Sequence, residues 1–352
     1  MASVVPKNLD AADQAAFTER LETERLVPLW NFFNDWFTPV PQISAQPFLW
    51  HYDGLRPKLM ESAEIISAAE AERRVLVLEN PGLIGKHLVT DTLYAGLQLI
   101  TPGEIAPAHR HTAVALRFVI EGSGGYTAVA GERTYMEPGD FIVTPSWAWH
   151  DHSHEGQGPV VWMDVLDIPL IRFLGANFTE HYAETRYPEG PPVNDSLHRY
   201  GTNMRPVGYK RDQLASPIFS YPYARTREAL ERLKRHSDWD PCHGLKMEYI
   251  DPTTGGPAIP SISTFIQLLP KGFTTARYRS TDGAVFCVAE GSGSVTIGDG
   301  TAAQTFTYTK RDIFAVPCWQ PLSIAADAES VLFSASDRIV QTKLGVWREQ
   351  RL

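Results

Sequence analysis

Cysteine is scarce in this chain: Cys242, Cys287 and Cys318 are the only three among 352 residues. They cannot all pair, and they show no metal-ligand spacing, so neither a disulfide framework nor a cysteine zinc site is expected. A reducing cytoplasm is the simplest setting for them. Long apolar runs are missing as well. No stretch of about 18 apolar residues occurs, so no membrane-spanning helix is expected. The opening Met1-Ala2-Ser3-Val4-Val5-Pro6-Lys7 is too poor in apolar residues for a secretory signal. Excess positive charge is also absent: 32 Lys and Arg against 41 Asp and Glu leave a net charge of −9, which argues against a nucleic-acid partner. An anionic small substrate stays compatible, because its binding depends on local arginines. What the chain does have is 43% hydrophobic and 21% charged residues, a globular composition with length enough for two domains.

Residues 9–37 read as a helix that Asp10 or Asn8 can cap, with Phe17, Leu21, Leu26, Leu29, Phe32, Phe33 and Phe37 at roughly helical spacing. Trp30 and Trp36 make this arm unusually aromatic, as packing on a core or on a neighbouring subunit would require. From about residue 73 short apolar runs alternate with turns. Val75 to Leu78, Tyr94 to Ile100, Leu116 to Ile120, Tyr126 to Ala130, Phe141 to Val143 and Val160 to Ile168 are separated by Gly and Pro, the pattern of a barrel or sandwich. Residues 176–260 are less regular, with one helix expected over Thr226 to Arg235, Leu230 and Leu233 inward.

The strand pattern then returns with matching landmarks. Pro270-Lys271-Gly272 echoes Thr101-Pro102-Gly103, Glu290-Gly291-Ser292-Gly293 repeats Glu121-Gly122-Ser123-Gly124, and Asp312 to Pro317 parallels Asp140 to Pro145. Three matches in the same order indicate an internal duplication.

The chemistry concentrates in His109-Arg110-His111. Histidines at i and i+2 on a strand share a face and can offer two neutral imidazoles to one ion. His150 supplies a third, and the segment Gly139, Pro145, His150 has the spacing of a second metal motif. His152 and His154 share its alternation and compete for the same slot, though the spacing favours His150. Together these segments resemble the paired motifs of the cupin superfamily. Two departures are informative: Ala115 stands where many cupins carry a glutamate ligand, and Trp147 where glycine is usual. Three imidazoles without a protein carboxylate leave a divalent ion with its full charge and an open face, which a substrate carboxylate and ionised phenol can cancel. In the second half Arg277 and Arg279 fall near the places of His109 and His111, and Leu322 where His150 would be, so no metal ligands are expected there.

Leu29-Trp30, Pro47-Phe48-Leu49-Trp50, Leu55-Arg56-Pro57, Ala71 to Leu76, Asn80-Pro81-Gly82 and Pro107 to His111 carry a closer likeness. Over nearly the whole chain it resembles the gentisate 1,2-dioxygenase family, which includes salicylate and 1-hydroxy-2-naphthoate dioxygenases. The resemblance implies an all-β bicupin fold of two double-stranded β-helix (jelly-roll) barrels. Expected divisions are a helical arm over 1–70, a metal-binding barrel over 71–175, a linker with helices over 176–260 and a barrel without ligands over 261–352. It also implies Fe(II) on His109, His111 and His150, dioxygen and a small aromatic hydroxy acid as substrates, a homotetramer, and no nucleic acid or membrane partner. Arg117, an even offset beyond His111, corresponds to the family's substrate arginine; the plainer alternative is an ion pair inside the barrel. Of Arg73 and Arg74 one can face the pocket, and Arg73 is chosen as the second carboxylate contact. His152 corresponds to a histidine beside the substrate hydroxyls, able to move a proton. Asp164 resembles an acid that orients a histidine or arginine at the substrate. Tyr94 occupies the position where members vary between tyrosine and tryptophan; core packing is its alternative use. The implied reaction opens gentisate between the carboxyl-bearing carbon and its hydroxylated neighbour. The same chemistry on salicylate, a 5-substituted salicylate or 1-hydroxy-2-naphthoate is the alternative. A non-oxidative cupin isomerase or a non-enzymatic bicupin stands further off.

Overall fold

The computed structural model describes residues 10–202 and 204–352, in two separate units divided after Gln42. In the first unit the expected long helix is shorter. It runs Ala11–Thr23, capped by Asp10, whose carboxylate accepts from the Ala12 N–H at 3.3 Å; Asn8 lies outside the described residues. Arg25 takes a left-handed φ of 59°, and the apolar residues beyond it fall in two short turns, Leu29–Asn31 and Phe33–Trp36. Pro28, which lacks an amide donor, separates the first of these turns from the helix, a break the aromatic spacing alone could not reveal. Trp30 and Trp36 are exposed within this unit.

The second unit, from Ile43 onward, is the expected pair of β-barrels. Each has one six-stranded and one five-stranded sheet. In the first barrel the six-stranded order is Ser220–Tyr221, Phe141–Thr144, Ala115–Glu121, Val160–Leu166, Tyr94–Ile100, Val75–Val77. The facing sheet runs Thr179–His181, Ile105–His111, His150–His154, Gly125–Val129, Glu132–Tyr135. The second barrel repeats this order, with Phe48–Trp50, Ile313–Val316, Ala284–Glu290, Ser330–Ser336, Ser263–Leu269 and Leu245–Glu248 in its larger sheet. The shared strand order is the structural form of the duplication.

Several strands reach past the divisions drawn from the sequence. Phe48–Trp50, assigned to the arm, pairs with Ile313–Val316 at the edge of the second barrel. Ser220–Tyr221, from the linker, pairs with Phe141–Thr144 of the first, and Thr179–His181 pairs with the strand that carries His109 and His111. Edge strands of two or three residues carry too little alternation to be read without their partners. The expected helix near residue 226 runs Tyr223–His236 and buries Leu230.

The faces of the two larger sheets that turn away from their own lumens meet in one continuous core. Phe118 and Phe333, one from each barrel, stack with ring centroids 4.3 Å apart, and Leu116, Phe141, Val285 and Ile313 are fully buried around them. Period-2 alternation turns these residues inward, so Arg117, between Leu116 and Phe118, must point into its own barrel. The shared core thus fixes which strand faces look into the first lumen.

Candidate metal centre

His109 and His111 close the strand Ile105–His111, and His150 opens His150–His154. The two strands pair antiparallel, with His109 opposite His150 and a register shift between Ala106 and His109. The shift brings the imidazoles together: one ligand nitrogen from each of the three lies within 4.8 Å of the others. His109 Nε2 and His150 Nε2 are 3.0 Å apart. Two nitrogens bound at about 2.1 Å and at right angles on one ion would stand about 3.0 Å apart, so the spacing fits a divalent metal.

The tautomers fit as well. His111 Nδ1 lies 2.8 Å from the Ala113 carbonyl, and His150 Nδ1 lies 3.0 Å from that of Ala148. A carbonyl only accepts, so both Nδ1 atoms carry the proton and both Nε2 lone pairs are free for a ligand bond. Burial, then the Arg73 guanidinium, pulls His109 down to about 2, and burial brings His111 to about 4. Burial likewise drives His150 far below the usual histidine range. All three are neutral at neutral pH, as coordination requires. Among the described residues the trio is joined by a second group, Glu72, His109 and His181, whose outer members are exposed. His181 comes beside His109 through the edge pairing of Thr179–His181, which its sequence context does not reveal.

Trp147, in glycine's usual place, has φ 63°. Its N–H donates to the His111 carbonyl at 2.8 Å, which ties the turn before His150 to the first two ligands. Its indole stacks under the Arg110 guanidinium, centroid distance 4.4 Å, and against Phe178. These contacts offset a left-handed backbone that costs a non-glycine residue about 1 kcal/mol or more. Trp319 repeats this arrangement in the second barrel, with φ 61°, an N–H to the Ser280 carbonyl and Arg279 over its ring. That equivalence corrects the sequence reading. Ser280 matches His111 and Tyr278, which pairs with Leu322, matches His109. Arg277 and Arg279 are displaced by one residue and lie on the opposite strand face. The conclusion that the ligands are missing holds with the corrected residues.

The other predicted side chains converge on the same lumen. Gly96, Asp164 and Arg117 form one row across three strands. Arg117 is buried; its Nη1 donates to Thr144 Oγ1 at 2.6 Å and its Nη2 to His152 Nε2 at 3.3 Å. Guanidinium nitrogens only donate, so His152 Nε2 is the unprotonated nitrogen and Nδ1–H points at Thr127 Oγ1, 3.0 Å away. Burial and then Arg117 hold His152 far below the usual range. Asp164 Oδ1 is 3.4 Å from Arg117 Nε, out of hydrogen-bond alignment. Burial pushes Asp164 up to about 6 against the pull of Arg117. The ion-pair alternative for Arg117 is therefore present in the structure beside its open role.

Arg73 and Arg74 separate cleanly. Arg74 is consumed by Glu104 at 2.5 and 2.6 Å and by the Ile66 carbonyl. Arg73 Nη1 donates to the carbonyls of Glu72 and Pro107, while its buried Nη2 has no partner among the described residues. Burial, then Arg117 nearby, pulls Arg73 down to about 9. Tyr94 is half-buried, and burial with Asp164 close by holds its phenol well above the usual value. A side chain at Gly96 would meet Val75 and, at 3.1 Å, the Tyr94 hydroxyl, so this glycine keeps the row open. His154 leaves the ligand contest: its Nε2–H donates to Gly158 O and its Nδ1 accepts from Gly156 N–H. Thr127 and Thr144 were not singled out in the sequence. A lone threonine on a strand gives no signal until its partner across the barrel is known.

A cupin domain model matches residues 96–166. The chain is 52% identical over 339 residues to gentisate 1,2-dioxygenase 1 of Aquipseudomonas alcaligenes, covering 96% of each protein. It is 32% identical to a 1-hydroxy-2-naphthoate 1,2-dioxygenase of Nocardioides, over 94% of this chain and 86% of that one. The structure of a salicylate 1,2-dioxygenase from Pseudoaminobacter salicylatoxidans with gentisate superposes with a TM-score of 0.89 at 31% identity, covering 99% of this chain and 96% of the other. With the bicupin fold and a three-histidine site in the matching barrel, this chain belongs to the family of ring-cleaving gentisate, salicylate and 1-hydroxy-2-naphthoate 1,2-dioxygenases.

Proposed function

We propose that this enzyme opens gentisate with dioxygen, using Fe(II) held by His109, His111 and His150. The relative at 52% identity is named a gentisate 1,2-dioxygenase, and the salicylate 1,2-dioxygenase that superposes on this chain carries gentisate in its structure. Both oxygen atoms enter the product: the carboxyl-bearing carbon becomes a ketone and its hydroxylated neighbour a new carboxylate. Iron when bound supplies the one-electron chemistry that couples an electron-rich ring to dioxygen, which zinc cannot.

The residues of the chain do the rest. Three neutral imidazoles bring no negative charge, so a substrate carboxylate and phenolate are the groups that neutralise the ion. The observation that carries the substrate assignment is the unpartnered, buried Nη2 of Arg73 beside Arg117, both of which act on the metal histidines. A buried donor without an acceptor costs on the order of 1–3 kcal/mol, which an incoming carboxylate removes. Arg117 and Arg73 then hold that carboxylate, and Asp164 keeps Arg117 in its row. His152 is neutral with an unprotonated Nε2 beside Arg117; once Arg117 turns to the substrate carboxylate, that nitrogen accepts the phenolic proton and can return it. Tyr94 and Gly96 shape the wall against which the ring sits. Exposed Trp30 and Trp36 support the reading that the arm covers a neighbouring subunit in a homotetramer. The cysteine content supports a cytoplasmic setting.

The test is an oxygen electrode with metal analysis. Iron-loaded protein is expected to consume one dioxygen per gentisate without a reduced nicotinamide, and zinc-loaded protein none. Ring opening by the zinc form, or turnover without oxygen uptake, would refute the proposal.

A further inference from the structure

The second barrel keeps a lumen but fills it differently. Tyr278, Ser280 and Leu322 replace the three ligands, Phe286 takes the place of Arg117, and Ser334 that of Asp164. The cavity is nonetheless not an apolar plug. Lys246 and Arg338 both line it, together with Phe265. Lys246 Nζ stands 4.5 Å from the Phe265 centroid, and Arg338 lies 5.7 Å from the same ring and 4.0 Å from that of Trp347. Among the described residues neither cation is within 4.0 Å of a carboxylate, and the Lys246 ammonium makes no hydrogen bond.

Several of the other polar groups have partners within the protein. Arg279 donates to Gln350 and stacks on Trp319. Asp282 accepts from the Trp347 indole N–H at 2.9 Å. His243, pulled down to about 4 by burial and then by Lys246, brings no charge. Lys246 stands opposite Gln267, the register position that Val75 holds opposite Gln98 in the first barrel. The lysine is thus a cation placed where the sister barrel has an aliphatic residue. Against the single lining carboxylate of Asp282 among the described residues, Lys246, Arg338 and Arg279 leave the recess with an excess of positive charge, a repulsion that a bound anion offsets. Burial, against the opposing pull of Asp282 and with Arg338 adding to it, brings Lys246 down to about 8.

We propose that the second barrel is a binding site for a small carboxylate anion, held by Lys246 and Arg338 against Phe265. The cavity offers about 40 Å³, and with some 10–15 Å³ needed per water it admits an anion of acetate to pyruvate size rather than an aromatic acid. This site is separate from the metal centre and does not rest on the reaction assigned there.

Calorimetric titration of the full iron-loaded protein with acetate and with pyruvate tests it, with chloride and inorganic phosphate as comparison ions. Because a keto acid can chelate iron, the same titrations are run on His109→Ala. One saturable equivalent is expected in both proteins. Lys246→Met and Arg338→Gln are each expected to weaken it by about tenfold or more, as loss of a charged hydrogen bond does. Both variants are expected to keep their iron; Arg338→Gln, at the start of a partly exposed helix, decides the matter if Lys246→Met does not fold. The proposal is overturned if the wild type shows no saturable binding at millimolar concentrations. It is equally overturned if both variants bind as the wild type does, or if chloride or phosphate binds as tightly as acetate.

Discussion

Arg117 is the residue on which the substrate assignment and its plainest rival part company. It is 3% exposed, with Asp164 3.4 Å from its Nε and His152 3.3 Å from its Nη2. Arg117→Met removes a substrate donor, but it also strands a buried carboxylate. Breaking one side of a buried pair costs roughly 3–5 kcal/mol of stability. The lower end is expected here, because Asp164 already titrates at about 6 and can take up a proton once its partner is gone. In the same variant the substrate carboxylate loses one or two charge-assisted hydrogen bonds, about 2–4 kcal/mol, or roughly 30- to 1000-fold in affinity.

The double variant Arg117→Met, Asp164→Asn separates these effects. It removes the stranded charge, so the melting temperature is expected to recover most of its loss. Gentisate affinity, measured by anaerobic titration, is expected to stay as weak as in the single variant. Iron content, measured by elemental analysis, is expected to remain at wild-type level throughout, since Arg117 touches none of the three ligands by hydrogen bond. If affinity returned with stability in the double variant, Arg117 would be a counter-charge for Asp164 and no more. Loss of iron in either variant would also refute the reasoning.

His109→Ala is expected to lose bound metal and turnover together, while the melting temperature of the metal-free protein changes little; retention of iron would sink the three-histidine site. Thr127→Val keeps the buried volume but removes the acceptor of the His152 Nδ1–H. A fall in kcat of about tenfold or more with KM and iron unchanged is expected, and an unaltered pH profile would show that His152 needs no such orientation. Phe118→Ala opens a hole at the stack with Phe333, where both rings are at most 1% exposed, and a loss of about 3–5 kcal/mol by denaturant titration is expected. A loss below about 1 kcal/mol would mean the barrels do not share one core.

The metal trio was legible because it follows from two local rules: alternation on a strand, and a fixed spacing to the turn before His150. The duplication was legible for the same reason, since its Gly and Pro landmarks are local. What the sequence hid are relations that a barrel creates between distant segments. The first and second strands of a sheet can be recognised separately, but the bulge between Ala106 and His109 that closes the ligand trio is a property of their pairing. The choice between Arg73 and Arg74 could be stated as an alternation and not justified, because Glu104, which claims Arg74, is 30 residues away. The one-residue error at Arg277 and Arg279 shows the limit sharply. Strands of three residues hold too little pattern to fix a register, and a slip of one residue exchanges the lumen for the surface.

The second barrel also tells which features of the first are architecture. Arg110 over Trp147 and Arg279 over Trp319 are the same clamp, each on a left-handed tryptophan whose N–H reaches back to the neighbouring strand. The clamp survives where no ligand remains, so its role in both barrels is to hold a turn. His109, His111, His150, Arg117 and Asp164 all have non-coordinating, uncharged counterparts on an equivalent scaffold. A fold that closes equally well with Tyr278, Ser280, Leu322, Phe286 and Ser334 has no structural need for the polar set. Burying three neutralised imidazoles, a guanidinium and a carboxylate raised to about 6 is costly, and only one of the two barrels bears that cost. The cost therefore belongs to the chemistry at the metal centre and not to the barrel that holds it.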